Sequence, residues 1–336
     1  MTRTTRFLAA TAAAFAILPI AASAYAGEKE VRRQDSFGGS CVKCELSGRN
    51  LSGARIVGAN FSGATMVGII LRDAKLHASV FAGADLSRAD LSDSSMTGAN
   101  FSGANLVRAN ARSSEANGVV FGSANLTRID MSDAEATGAV FNRAVLVGAI
   151  LRSITINGGV FSSADLSDAV LTDVQAAGAS FDRATLRGAN FRSGSLQGAS
   201  FSRADARGAI FADADLTGAV LSNGQFARAS FRSADLQAAN LSQGNFEGAD
   251  FRDADLSHAM LNGVDLSQAR GLTQSQVDEA CTDARTKLPP GISARGCHGA
   301  RFIYKHTTRP PTRFVPMPPA PPAPPAAPRY LMGLNR

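Results

Sequence analysis

The sequence predicts an all-β solenoid, a quadrilateral β-helix with four pentapeptides per coil, and three observations predict it. A five-residue period runs through 45 consecutive pentapeptides, centred on every fifth residue from Leu46 to Leu266, without insertion or deletion. Phenylalanine returns every 20 residues from Phe61 to Phe201, which sets four pentapeptides to a turn. Alanine usually stands two places before each centre, where four large side chains per coil leave room inward only for a methyl group. A fixed short period means that each repeat buries its apolar residue by stacking on its neighbours.

Residues 1–26 of the 336 carry Arg3 and Arg6, an apolar run from Phe7 to Ile20, and small residues ending in Ala24-Tyr25-Ala26. They read as a secretory signal peptide cleaved after Ala26; the alternative is an uncleaved anchor, for which the run is short of the ~20 residues a span needs. No other segment has the length and apolarity to cross a bilayer, so no transmembrane helix is expected after cleavage. Residues 27–40 form a linker.

The repeat body, 41–270, opens on Cys41-Val42-Lys43-Cys44, with Cys41 in a centre position and Cys44 in the alanine position that follows. The two flank one corner, where the ends of a turn lie within about 7 Å, so a disulfide is feasible. A redox-active pair would need an exposed thiolate, commonly at a helix N-terminus, and no helix signal follows. The centres are Leu, Phe, Ile or Met, relaxing to Ala at positions such as Ala111, Ala116, Ala136 and Ala176. A second phenylalanine phase runs Phe191, Phe211, Phe231, Phe251, and a third holds Phe226 and Phe246. Each phase is one inner wall of a square tube. With strands about 4.8 Å apart, roughly 11 coils make a rod about 50 Å long.

Glycine two places after the centre, from Gly98 to Gly218, marks one row of corners and predicts type II turns, whose third residue has positive φ. The other corner rows carry Arg, Asp or Ser there, which predicts a different turn. Along one edge Arg72, Arg112, Arg152 and Arg192 alternate with Ser or Thr, while Asp73, Asp93, Asp133, Asp173 and Asp213 stand in the next row. Stacking would otherwise set like charges about 5 Å apart; the alternation places each Arg diagonally beside an Asp and implies a 40-residue, two-coil unit.

After Gly271 the period stops. Segment 271–300 opens with Thr273 and Gln276 spaced as a capping box, and Leu272, Val277, Ala280 and Cys281 are expected on one face of a short helical cap against the last coil. Cys281 and Cys297 bracket a loop whose closure by a disulfide is worth about 3 kcal/mol in the chain-entropy model. A zinc site at Cys281, Cys297 and His298 lacks a fourth ligand. Residues 301–336 read as a basic, disordered tail, with ten prolines between Pro310 and Pro328.

These residues resemble the pentapeptide-repeat family. The resemblance covers about 41–300 and implies a right-handed β-helix; segment 272–297 is also similar to the C-terminal extension of exported members. It implies no cofactor and no particular partner.

Function is read from the surface. The net charge of +6 divides into +6 beyond residue 270, +2 before residue 41 and −2 over the body, whose 20 Lys or Arg face 22 Asp or Glu. A nearly neutral body offers no long-range field to attract or imitate nucleic acid. No nucleophile, base and orienting group recur together: His77, His258, His298 and His306 are scattered, so no enzyme, cofactor or metal site is expected. Three features remain. Val120, Val140 and Val160 are expected as an exposed apolar strip for self-association or partner docking, against a plain β-propensity explanation. Arg88, Arg108 and Arg128 stack at one corner as a candidate anion row, against a solvated edge. Asp215, Asp235 and Asp255 form an acidic ladder, again against a solvated face. The reading is a non-catalytic, periplasmic or secreted scaffold of the cell envelope with an unidentified protein or envelope partner. The alternative, a DNA mimic that protects a topoisomerase, needs an acidic rod in the cytoplasm.

Overall fold

The computed structural model describes residues 38–294 and 296; the signal-like segment, most of the linker, Cys297, His298, His306 and the proline-rich tail lie outside the described residues. Parallel bridges join each residue before a centre to the residue 20 later. They form four walls, whose outward residues run Ser40 to Met260 (first wall), Glu45 to Asp265 (second), Asn50 to Arg270 (third) and Arg55 to Asp255 (fourth).

Residues 86–90 show why this pattern closes. Leu86 and Arg88 donate their N–H groups to Asn105 O (2.7 Å) and Val107 O (2.9 Å) of the next coil, and Asp90 donates to Ile69 O of the previous one (2.9 Å). Ala89 closes the corner on Leu86 O at 3.0 Å. The fifth N–H, that of Ser87, goes to the Asp85 side chain at 2.9 Å. All five donors are thus satisfied, and the Asp or Asn before so many centres is explained as the acceptor for the corner N–H that the backbone leaves over. Asn50, Asn60, Asp90, Asn100 and Asp130 do the same for the residues two places on.

The corners correct the sequence reading. Every fifth residue from Lys43 to Gly263 has positive φ, glycine or not: Arg88 at 59°, Asp93 at 57°, Ser113 at 53°, His258 at 62°. One turn geometry serves all four edges. A side chain in the left-handed region costs about 1 kcal/mol; in this corner the Arg88 N–H donates to Val107 O of the next coil at 2.9 Å.

Inside, the first-wall phenylalanines stack from Phe61 to Phe201 with centroids 4.5–5.3 Å apart and rings within 21° of parallel. Phe191, Phe211, Phe231 and Phe251 stack likewise on the third wall, at 5.0–5.2 Å. Where the two columns overlap, Phe201 meets Phe191 and Phe211 edge to face, at 90° and 85°, a favoured aromatic geometry. Phe226 and Phe246 exclude even a methyl group beside them: a Cβ on Gly224 would stand within bonding-clash range of the Phe226 ring, and one on Gly244 would be 2.6 Å from Phe246 Cε2.

At the C-terminal end α1, Gln274–Glu279, replaces the fourth wall of a further partial coil, with Thr273 and Gln276 forming a capping box. Gln276 Nε2 donates to Phe251 O (3.0 Å), which also accepts the corner N–H of Ala254, and to Ala254 O (2.7 Å), which has no coil above it to bond. Val277 and Ala280 are buried, and Leu272 packs on the core. The helix is shorter than one face holding all four apolar residues requires. Ala280 is already extended, with ψ 164°, and Cys281 lies in a bridge with Met260 instead. The next bridge, Asp265 to Lys287, resumes the second wall.

Candidate functional site

The outer surface differs from wall to wall because the outward residue of each pentapeptide is free of the core. On the first wall the outward residues from Asn60 to Val220 carry no charge. Val120, Val140 and Val160 are consecutive rungs, bridged to one another. They are half-buried where exposure was expected: at rung spacing each valine covers the flanks of the next. The more exposed large apolar side chains of the body are Val42, Val57, Val145 and Ile150, at 48%, 41%, 38% and 36%.

Arg88, Arg108 and Arg128 stand at successive corners between the second and third walls. They line a groove of about 340 Å³ with Ser87, Val107, Thr127 and Val147, and none of the three is in an ion pair among the described residues. Asp85, Asp90 and Asp130 border the row on the two walls, so its field is local. At the next edge the diagonal pairing forms at Arg112–Asp133 (3.4 Å) and Arg192–Asp213 (3.0 Å), whereas Arg72 turns to Asp90 on the third wall (2.9 Å). Ser92 also holds Asp90, through both N–H and Oγ.

On the second wall Asp205 is clasped by both Arg207, through two bonds of 2.8 Å, and Arg187 of the coil before, at 2.7 Å. Those guanidiniums outweigh its partial burial and hold its carboxyl down at about 2. Asp265, bonded by Ser267 and Lys287, is likewise held at about 2.

The fourth wall carries the acidic ladder, with Asp215, Asp235 and Asp255 in successive bridges. Burial would raise the Asp215 carboxyl, but hydrogen bonds from Thr217 and Gln197 bring it below its ordinary value; Ser257 lowers Asp255. Sequence reading had not singled out Arg55 and Lys75 at the opposite end of the same wall; sampling every twentieth residue from Arg55 would have found them. Among the described residues no cluster of His, Cys, Asp or Glu has the arrangement of a metal site, and no helix is long and apolar enough to cross a membrane. At the N-terminal corner Cys41 and Cys44 are bridged, with Cα atoms 5.4 Å apart. Cys281 is also disulfide-bonded, while Cys297, its expected partner, lies outside the described residues.

A four-walled tube of this kind is a repeat scaffold, a β-helix that presents surfaces. The family model for pentapeptide repeats matches in eight copies over 40–77, 74–110, 117–152, 160–192, 186–223 and 229–268. The chain belongs to the pentapeptide-repeat family, a family of right-handed β-helices that are in general non-catalytic. Among solved structures it is similar to HetL, a pentapeptide repeat protein involved in heterocyst differentiation regulation in the cyanobacterium Nostoc, at 30% identity over 64% of this chain and 89% of that one, with TM-score 0.35. It is similar to QnrB1, a plasmid-mediated fluoroquinolone resistance protein, at 20% identity over 49% and 91%, with TM-score 0.38. A pentapeptide repeat protein of the Arabidopsis thaliana thylakoid lumen shares 27% identity over 38% and 80%, with TM-score 0.20. No curated protein matches the chain.

Proposed function

We propose that the chain is an exported, non-catalytic scaffold of the cell envelope that docks a protein or other envelope component on its first wall. The uncharged face from Asn60 to Val220, with Val120, Val140 and Val160 at its middle, carries this reading. A flat sheet without charge is wetted least strongly at its apolar rungs, and burying half-exposed valines there loses no ion hydration. Export is supported by the pattern of residues 1–26 and by cysteines paired in a way that suits an oxidising compartment. The body's charge of −2 over residues 41–270 speaks against duplex mimicry.

A photo-crosslinker placed at Val140 in cells is expected to trap an envelope component, and Val140→Asp to abolish the complex while leaving the fold intact. An unchanged complex in Val140→Asp would refute docking on this wall. Recovery of an intact N-terminus in the cytoplasm would refute export separately.

A further inference from the structure

The fourth wall is the most highly charged face of the body. Seven of its eleven outward residues, from Arg55 to Asp255, are charged, and among the described residues none of the seven is in an ion pair. Elsewhere Asp90, Asp130, Asp133, Asp205 and Asp213 each have an arginine partner. The signs on the fourth wall are segregated: Arg55 and Lys75 at one end, Glu115 and Glu135 before the middle, Asp215, Asp235 and Asp255 at the other end. Successive charges of one sign about 4.8 Å apart repel; among the described residues they receive hydrogen bonds, as Asp215 does from Thr217 and Gln197, but no ion pair.

We propose that this wall binds the same wall of a second copy, antiparallel, about a two-fold axis through Thr155. The ladder is regular, so this axis fixes every pairing. Arg55 meets Asp255 and Lys75 meets Asp235, twice each by symmetry. Ser95 meets Asp215, Glu115 meets Ser195, Glu135 meets Gln175, and Thr155 meets itself. Two opposite-charge pairs and three charge-to-hydrogen-bond-donor pairs result, with no like charges opposed. A parallel arrangement would set each of the seven charges against itself. The second wall, under the same operation, opposes Glu45 to Asp265. Sliding the register by one rung toward the N-terminus keeps the signs matched but leaves Asp255 without a partner. Sliding it by two sets Glu135 against Glu135.

Ten rung spacings give a contact about 48 Å long and about 10 Å wide. That buries roughly 1,000 Å² in total, the lower limit for a specific interface, so the dimer is weak and depends on its charges. The corner between the fourth and first walls has no charged residue from Thr97 to Ala238, and its glycine row lets the two rods approach. Because the axis lies across the rods, these neutral corners face each other. The two first walls then lie side by side on one surface of the dimer, their valine rungs close to the axis. The opposite bordering edge, which carries arginine and aspartate together, is left at the solvent rim. This dimer does not depend on what docks on the first wall, and it would stand if that docking failed.

Sedimentation equilibrium of the full-length chain tests it. At low ionic strength the chain is expected to dimerise, and salt at about 0.5 M, where the screening length falls to a few ångströms, should raise the dissociation constant at least about tenfold. Arg55→Glu with Lys75→Glu should be monomeric, and so should Asp235→Lys with Asp255→Lys. An equimolar mixture of the two proteins should form a one-to-one dimer, because each reversed end then meets the complementary one. Thr155→Cys should crosslink on oxidation, since the axis brings that residue against its own copy. The proposal is overturned if the parent chain stays monomeric at low salt, if either reversed protein still self-associates, if the mixture remains monomeric, or if Thr155→Cys gives no crosslinked dimer.

Discussion

Gly224→Ala restores the usual alanine of the repeat and should nevertheless destabilise the rod. A Cβ at position 224 would overlap Phe226 Cε2 and lie 3.1 Å from Cζ and 3.2 Å from Leu221 O. Carbon atoms pack at about 3.5–4.0 Å, so the ring would have to retreat by more than 1 Å. It has nowhere to go. Phe246 stacks on it at 5.0 Å, and Phe231 and Phe211 stand at 5.9 and 6.2 Å. Overpacking of a closed core costs about 1–3 kcal/mol, and the enclosure by three rings places this case near 3. Phe226→Leu alone opens a cavity and should cost roughly 1–2 kcal/mol. The double variant recreates the ordinary Ala-x-Leu repeat and should lose less than the sum of the two by about 2 kcal/mol. Urea unfolding of the four proteins measures the cycle, with hydrogen exchange over residues 221–251 to localise it. A cost under about 0.5 kcal/mol for Gly224→Ala, or additive effects in the cycle, would refute the packing argument.

Gln276→Ala removes the donor that serves Phe251 O and Ala254 O; it should cost about 1–2 kcal/mol and speed amide exchange in the last coil while the first coils keep their protection. Asp205 is held at about 2, below its unfolded value of 3.8. Its contribution is therefore complete above pH about 4 and lost as pH falls toward 2, and with half-exposed arginines around it about 1 kcal/mol is a fair size. Asp205→Asn should show that deficit at pH 7 and none near pH 2 in unfolding titrations; a deficit independent of pH would mean that the arginine clasp is not its cause.

Much of the fold was legible because a β-helix repeats a local rule. The spacing of Phe61 to Phe201 announced a four-walled coil, and the walls and ring stacks follow it. The corners were misread because residue type was taken to set the turn. At Arg88 and Asp93 the need to aim an N–H at the next coil outweighs the side chain's aversion to positive φ. Cys281 was misplaced for a related reason. Helical periodicity from Leu272 onward was extended across it, whereas the unfilled ladder above Met260 draws the chain back into a bridge. The exposure of Val120, Val140 and Val160 was overestimated, because it depends on neighbours 20 residues away.

The sequence by itself determined the repeat, the coil size, the core columns and the near-neutral charge of the body, because each is set by what recurs at fixed separation. Tertiary structure alone decided which charges find partners. Asp205 and Asp213 acquire theirs from the coil before, whereas Arg55, Lys75, Asp235 and Asp255 share a wall and meet none among the described residues. Ion pairing depends on side-chain reach across an edge, which spacing along the chain does not specify.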